Sequence, residues 1–301
     1  MQRPVIESSI LTLNVPSHVT HEYVRKRVSE IQSICGSIDN RIVYNRSQLL
    51  KAISLIDLTS LNVNDSSKTI EELCARAINP IGEQIGNKDL HTAAVCIFQA
   101  RAQDAIDFLK QRNIQDISVA TVAGDFPNAS LPYDQRLKDV LVAGQSDVDE
   151  IDIVIDRCLV KNDNWEELFK QISEMRRVCA EKHMKTILST GDLPSINHIY
   201  KASMVAMSAG SDFIKTSTGK ESINATLEVG VVMCEAIKEF QRLTGRKVGL
   251  KPAGGIKTAL QAIEWLTLVE KILGDDWINK DLFRIGASSL LDDLVQTIND
   301  S

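Results

Sequence analysis

Two lysines, Lys215 and Lys251, have the sequence context of reactive amines. Each closes a short apolar run that is typical of a buried strand, Phe213-Ile214 in one case and Val248-Gly249-Leu250 in the other. A second ammonium group close by disfavours the charged form of an amine and so lowers its pKa. A neutral amine can attack a carbonyl carbon. The pair therefore predicts carbonyl chemistry at a lysine.

The second lysine and burial can together supply the energy needed to neutralise such an amine. A shift from a pKa of about 10.4 to about 7 corresponds to roughly 4–5 kcal/mol. An ammonium about 6 Å away supplies about 3 kcal/mol at an effective dielectric constant of about 20. Because a lone lysine at a strand end is most often solvated, the functional interpretation depends on Lys215 and Lys251 lying in adjacent strands.

The elements that must position these lysines alternate regularly along the chain. Short apolar or β-branched runs predict eight strands, at residues 53–58, 93–98, 117–122, 151–155, 186–188, 212–215, 248–251 and 282–285. Segments with helical spacing separate them; in one of these, Thr69 and Glu72 resemble a capping box. Eight alternations of strand and helix predict an α/β fold, a (β/α)8 TIM barrel over residues 49–301. Periodicity alone leaves an open, doubly wound sheet as the alternative.

Residues 1–48 are predicted to form a helical extension outside the barrel domain. Val24, Val28 and Ile31 recur at helical spacing, and Thr20 stands where that helix would begin. We expect this helix to pack across the bottom of the barrel.

If the fold is a barrel, polar residues at the carboxyl ends of the strands line the site. Besides the two lysines, this rule selects Asp57, Thr59, Cys96, Asp152 or Asp156, Thr190 and residues 286–289. Asp152 alternates with Ile151 and Ile153, so its carboxylate points away from their side chains and could enter the lumen beside the lysines. A buried ion pair that holds two strands together is the structural alternative for Asp152.

Glycine-rich turns follow the last three predicted strands. The first contains Gly219-Lys220 and the second Gly254-Gly255, while the third, Gly286-Ala287-Ser288-Ser289, opens a helix. Turn amides and helix N-termini bind anions, and the loops after strands seven and eight of a barrel are a common phosphate site. Turns need glycine for their own geometry, so one such turn would mean little. Three in consecutive loops predict a phosphorylated substrate.

Composition and motifs argue against several other function classes. The net charge of −6 without a basic block argues against nucleic acid as a partner, and the apolar runs are too short to span a membrane. No G-x-G-x-x-G follows a strand, Thr218-Gly219-Lys220 lacks the upstream glycine of a P-loop, and none of the five histidines has metal-ligand spacing. We therefore expect neither a cofactor nor a metal.

The six cysteines are scattered without a C-x-x-C pair, and no signal-type apolar segment opens the sequence. This pattern predicts reduced thiols in a cytoplasmic protein. The sequence does not fix the oligomeric state, and a homo-oligomer is compatible with it.

The motifs together resemble those of the class I deoxyribose-phosphate aldolases, and of their animal members in particular. The most specific is Asp212-Phe213-Ile214-Lys215-Thr216-Ser217-Thr218-Gly219-Lys220, and Lys251-Pro252-Ala253-Gly254-Gly255 is the second. The similarity covers about residues 50 to 297 and includes Asp57-Leu58-Thr59, Cys96-Ile97, Glu150 to Val154, Thr190-Gly191 and Gly286 to Ser289. It implies a metal-free (β/α)8 barrel that reversibly cleaves 2-deoxy-D-ribose 5-phosphate to D-glyceraldehyde 3-phosphate and acetaldehyde, in deoxyribose phosphate catabolism.

The resemblance also implies roles for individual residues. Lys215 would form the Schiff base, Lys251 would lower its pKa, and Asp152 would transfer protons with the help of a water. The substrate and its phosphate would be held by Asp57, Thr59, Cys96, Gly219, Lys220, Gly254, Gly255, Gly286, Ser288 and Ser289.

Three positions depart from the family pattern. Phe98-Gln99 replaces a more usual tyrosine–proline pair, Lys257 stands where bacterial members often have arginine, and the sequence ends without the C-terminal tyrosine of some bacterial relatives. Two alternatives to this aldolase remain: a Schiff-base aldolase with another acceptor, and a barrel that binds a sugar phosphate or a protein without turnover.

Overall fold

A computed structural model describes residues 13–36, 45–82 and 90–300 of the chain. Eight strands alternate with helices along these ranges. The strands are β1 (Ile56–Ser60), β2 (Ala94–Phe98), β3 (Ser118–Ala123), β4 (Glu150–Val154), β5 (His183–Ile187), β6 (Phe213–Lys215), β7 (Gly249–Lys251) and β8 (Ile285–Ala287). The helices are α1 (His21–Ile34), α2 (Arg46–Ile53), α3 (Ser67–Ile78), α4 (Ala102–Gln111), α5 (Tyr133–Gln145), α6 (Arg157–Lys161), α7 (Trp165–Val178), α8 (Ile196–Ser208), α9 (Leu227–Thr244), α10 (Ala259–Leu273) and α11 (Leu290–Asp300).

The strands form one parallel sheet that closes on itself. Their order is β7-β6-β5-β4-β3-β2-β1-β8, so each strand except at the seam pairs with its neighbours in sequence. Parallel bridges from Leu250 to Phe283 and from Ala253 to Gly286 join the two ends of the sheet. The predicted (β/α)8 barrel is confirmed, and the open sheet is excluded.

Three predicted strands differ from the observed ones by more than one residue at a boundary. Ile53 belongs to α2, whose buried residues Leu49, Ala52 and Ile53 have helical spacing, and β1 begins only at Ile56. The eighth strand runs from Ile285 to Ala287, later than predicted. The fifth strand begins at His183 instead of residue 186, which adds Lys185 to the barrel wall.

The capping box of α3 lies one turn before the predicted position. The Ser66 side chain accepts from the Thr69 amide, and the Thr69 side chain in turn accepts from the Ser66 amide. Threonine at the third helical position can therefore close the box that Glu72 was expected to close.

The N-terminal helix forms as predicted but packs elsewhere. Thr20 caps α1, and Val24, Val28 and Ile31 are buried. This apolar face lies against α9 and α10 on the outside of the barrel, where the Tyr23 hydroxyl donates to Glu235 Oε1 at 2.5 Å. The expected position across the barrel's bottom is therefore wrong, because the outer faces of α9 and α10 supply the apolar partner. The proposed domain boundary after residue 48 falls inside α2 and remains a proposal.

No helix within the described ranges is both long and apolar enough to cross a membrane.

Candidate active site

The carboxyl ends of β4, β6 and β7 bring one carboxylate and two amines together. Lys215 lies beside Lys251 in the sheet register. The Nζ atoms of these lysines each donate to Oδ2 of Asp152 at 2.7 Å. Lys215 is 3% exposed, and the other two residues are fully buried. The structure thus places the lysines in adjacent strands and the Asp152 carboxylate in the lumen, as the sequence predicts.

A second layer of charged side chains supports this trio. Lys185 Nζ lies 2.9 Å from Asp152 Oδ1 and 2.5 Å from Glu150 Oε2. Arg284 donates to Glu150 Oε1 and to Asp57 Oδ1, both at 2.7 Å. Asp57 Oδ2 lies 2.5 Å from Lys251 Nζ, which links the two layers. Since every one of these groups has a charged partner, the network holds both Asp152 and Lys251 in fixed positions.

The charges of the lumen balance only when one lysine is neutral. Among the described residues, its buried ionisable side chains are four cations and three carboxylates: Lys185, Lys215, Lys251, Arg284, Asp57, Glu150 and Asp152. With all seven ionised, the lumen would carry one uncompensated positive charge. An unpaired charge is costly in a buried site, so one amine is expected to release its proton.

Of the three lumen lysines, Lys215 is the one whose pKa is lowered. Burial lowers the pKa of Lys215, and the ammonium of Lys251 lowers it further against the opposing effect of Asp152. Burial also acts to lower the pKa of Lys251, but Asp152 and Asp57 outweigh it and hold that pKa well above the usual range. The same balance raises the pKa of Lys185, which has Asp152 and Glu150 as partners. Within the part of the chain that the structure describes, Lys215 has only Asp152 as a partner carboxylate, so it is the weakest base of the three.

Asp152 rests as a carboxylate. Burial alone would raise its pKa, but Lys185, Lys215 and Lys251 hold the pKa of this carboxyl well below its usual range. Its Oδ2 atom accepts hydrogen bonds from both Lys215 and Lys251.

The other residues selected at strand ends occupy different environments. Asp57 is fully buried beneath Lys251 and is absent from the cavity lining, whereas Thr59 lies on the cavity wall. Cys96 Sγ lies 4.0 Å from Asp152 Oδ2, and burial raises the pKa of this thiol.

Asp156 caps α6 by accepting from the Cys158 amide, so Asp152 is the lumen carboxylate of the two candidates. Thr190 is buried in the turn after β5 and is not among the residues that line the cavity.

A cavity of about 290 Å³ opens above Lys215. Its lining consists of residues 59–62, 215, 218–220, 253–257 and 286–289. These ranges include Lys257 and eight of the ten residues predicted to hold the substrate and its phosphate; the two that do not line the cavity are Asp57 and Cys96. The sequence did not single out Ser60, Leu61, Asn62 or Ile256, because nothing in their types distinguishes them from ordinary loop residues.

Backbone groups make one end of the cavity suitable for an anion. Gly254 has a φ of +81°, and a Cβ atom there would lie 2.7 Å from the Asn224 side chain, so the turn requires glycine. Ser288 and Ser289 immediately precede α11, whose first amides have no partner within the helix. Lys220 reaches across the mouth, where its Nζ donates to the Leu61 carbonyl at 3.1 Å. This end of the cavity therefore offers amides, hydroxyls and a cation.

Residues 51–293 match the family model described as DeoC/LacD family aldolase. The chain belongs to this family. It is 46% identical to the deoxyribose-phosphate aldolase of Mus musculus and 45% identical to that of Homo sapiens, in each case over 93% of this chain and 89% of the relative. A solved structure described as the tetrameric deoxyribose phosphate aldolase of Aeropyrum pernix is similar with a TM-score of 0.66 and 17% identity, over 91% of this chain and 97% of that one. At that identity the structural likeness supports the barrel fold alone.

Among the described residues, no group of three or more histidine, cysteine, aspartate or glutamate side chains is arranged to hold a metal ion.

Three members of the lumen network were missed in the sequence, namely Glu150, Lys185 and Arg284. Each lies on the same face as a neighbour two residues away, since Glu150 precedes Asp152 and Lys185 precedes Ile187 in their strands. Extending the alternation toward the beginning of each strand would have found the first two. Arg284 lies just before β8. The one sequence signal that its side chain faces the lumen was its position two residues before Gly286, which places both on the same face.

Proposed function

We propose that this protein is a Schiff-base aldolase that reversibly cleaves 2-deoxy-D-ribose 5-phosphate to D-glyceraldehyde 3-phosphate and acetaldehyde, in the catabolism of deoxyribose phosphates. The observation that carries the proposal is the pairing of Lys215 with Lys251 on one carboxylate oxygen, with Lys215 lining a cavity that has an anion-binding end. The family membership and the relatives named above support the choice of substrate.

The first chemical step is imine formation. The neutral amine of Lys215 attacks C1 of the open-chain sugar, and the carbinolamine loses water to give an iminium. The departing hydroxyl needs a proton. Lys251 holds one and shares the Oδ2 atom of Asp152 with Lys215, so a proton can pass along this contact or through a water.

The second step breaks the bond between C2 and C3. A base removes the proton of the C3 hydroxyl, this oxygen forms the new carbonyl, and the electron pair of the C2–C3 bond moves into the iminium to give an enamine. Asp152, whose Oδ2 atom accepts from Lys215, would take up this proton through a water. Protonation of the enamine at C2 and hydrolysis then release acetaldehyde and restore the lysine.

The anion-binding end positions the substrate for these steps. The phosphate would accept hydrogen bonds from amides of residues 254, 255 and 288–289 and pair with Lys220. Lys257 adds a point charge at the same end, whereas arginine would offer a two-pronged contact.

The test is acetaldehyde release from 2-deoxyribose 5-phosphate by the wild type and two variants. Lys215→Leu should abolish turnover while preserving the circular dichroism spectrum. The control variant Lys170→Leu, on an exposed face of α7, should leave turnover unchanged. Appreciable turnover by Lys215→Leu would refute the mechanism. A panel of other aldehyde acceptors would reveal a Schiff-base aldolase of different specificity, and a folded wild type that binds the sugar phosphate without turnover would indicate a binding protein.

Location and assembly are also proposals. All six cysteines are free in the structure, which supports a reducing compartment such as the cytoplasm. A homo-oligomer, the kind of assembly described for the Aeropyrum pernix protein, would be tested by light scattering after size exclusion.

A further inference from the structure

The carboxylate of Glu221 is bonded to the loop that carries Gly219 and Lys220. Both of its oxygens lie 3.0 Å from the Thr218 amide nitrogen, and Oε2 also accepts from the Thr218 hydroxyl at 2.6 Å and from the Gly219 amide at 3.1 Å. Glu221 is absent from the cavity lining, so it lies behind the loop and not in the space for substrate.

Glu221 also joins this loop to the β7 loop. Burial alone would raise the pKa of its carboxyl, but hydrogen bonds from Thr218 hold that pKa below the usual range. The Glu221 carbonyl accepts from Asn224 Nδ2 at 2.8 Å, and the Asn224 side chain packs against Gly254 of the β7 loop.

The position of Lys220 depends on these contacts. The Lys220 amide donates to the Thr218 hydroxyl at 3.1 Å, and the same hydroxyl donates to Glu221. Gly219 has a φ of +83°, a left-handed turn that directs the chain from Thr218 to Lys220. Lys220 itself is exposed, with its Nζ on the Leu61 carbonyl. Without Glu221, the Thr218 amide and hydroxyl and the Gly219 amide would all lose their acceptor.

A carboxylate behind an anion site would be expected to repel a phosphate. Here its oxygens accept hydrogen bonds from two amides and one hydroxyl, so these donors offset its negative charge within the loop. The benefit is a loop whose shape is fixed before substrate arrives, which reduces the entropy lost on binding.

We propose that Glu221 is a positioning residue that fixes the turn at 218–220, so that Lys220 is held where it can pair with the substrate's phosphate. This inference rests on the proposed function, because it takes the anion at this end of the cavity to be the phosphate of an aldolase substrate. Glu221 acts through Lys220 and the turn and does not itself touch substrate.

The test compares Glu221→Ala with Glu228→Ala, which removes an exposed carboxylate from the start of α9. We expect Glu221→Ala to raise KM for 2-deoxyribose 5-phosphate about tenfold with kcat within about twofold, since one charged hydrogen-bond partner is lost. Activity on unphosphorylated 2-deoxyribose should stay within about twofold of wild type in both variants. Glu221→Gln, which keeps one acceptor, should fall between wild type and Glu221→Ala.

A double-mutant cycle with Lys220→Met identifies the route of the effect. If Glu221 acts through Lys220, adding Glu221→Ala to Lys220→Met should raise KM by less than about threefold further. The inference would be overturned if the increase in KM of the double variant equalled the product of the increases in the two single variants. An unchanged KM in Glu221→Ala would overturn it as well. A lower KM in Glu221→Gln would show that the carboxylate repels the phosphate and would overturn it equally.

The wild type separates this inference from the proposed function. A wild type that releases no acetaldehyde from 2-deoxyribose 5-phosphate refutes the function. A wild type that turns over normally while Glu221→Ala matches Glu228→Ala refutes only the role of Glu221.

Discussion

Replacing Lys251 with methionine should convert Lys215 from a neutral to a charged amine at neutral pH. The substitution removes one of four cations from a lumen with three carboxylates, so a protonated Lys215 would now balance the charges. Both Nζ atoms lie 2.7 Å from the same Asp152 oxygen, which limits their separation to at most twice that distance. At about 5 Å and an effective dielectric constant of about 20, the lost repulsion is roughly 3 kcal/mol, or about two pKa units.

The assay is the rate of imine trapping by borohydride as a function of pH. Imine formation requires neutral Lys215, so its rate rises with pH through the pKa of that amine. In Lys251→Met this rise should move about two units to higher pH, and the rate at neutral pH should fall about 100-fold. Thermal unfolding would verify that the variant is folded. A folded variant that has lost activity without any displacement of the pH profile would refute the charge-balance argument.

Three further predictions follow from the same contacts. Lys185→Met should move the pH profile in the same direction as Lys251→Met, because it also removes a cation that the reactive amine must then replace; the trapping assay measures this. The pKa values of Asp57, Glu150 and Asp152 are lowered because cations outweigh the opposing effect of burial, so these groups stabilise the fold above their unfolded pKa of about 4. The urea concentration at the midpoint of unfolding should therefore fall as the pH drops below about 5. A midpoint that stays constant down to about pH 3 would contradict this. Ser66→Ala should lower the free energy of unfolding by about 1 kcal/mol through loss of the α3 cap, as measured by urea titration, with activity unchanged.

The sequence predicted that Lys215, Lys251 and Asp152 would lie together, because each gives a local signal. Lys215, Lys251 and Asp152 each end or interrupt an apolar strand run, and the barrel topology then brings their strands together. The supporting layer depends on partners distant in sequence. Arg284 and Asp57 are 227 positions apart, so no local pattern could pair them.

Packing of the N-terminal helix was unpredictable for a similar reason. An amphipathic pattern shows that α1 must bury Val24, Val28 and Ile31, but not which apolar surface of the barrel receives them. Glu221 was missed because an acidic residue after a lysine in a loop is indistinguishable from a solvated one. Only the structure shows that its carboxylate is turned back onto the loop's own amides.

The most direct test of the central claim is borohydride trapping with 2-deoxyribose 5-phosphate in the presence of a chelator, followed by peptide mass mapping. Of the three lumen lysines, Lys215 alone should carry a reduced two-carbon adduct, because Lys185 and Lys251 remain protonated. An adduct on Lys251 or Lys185, or turnover of the substrate without any adduct, would contradict the assignment of Lys215 as the neutral nucleophile.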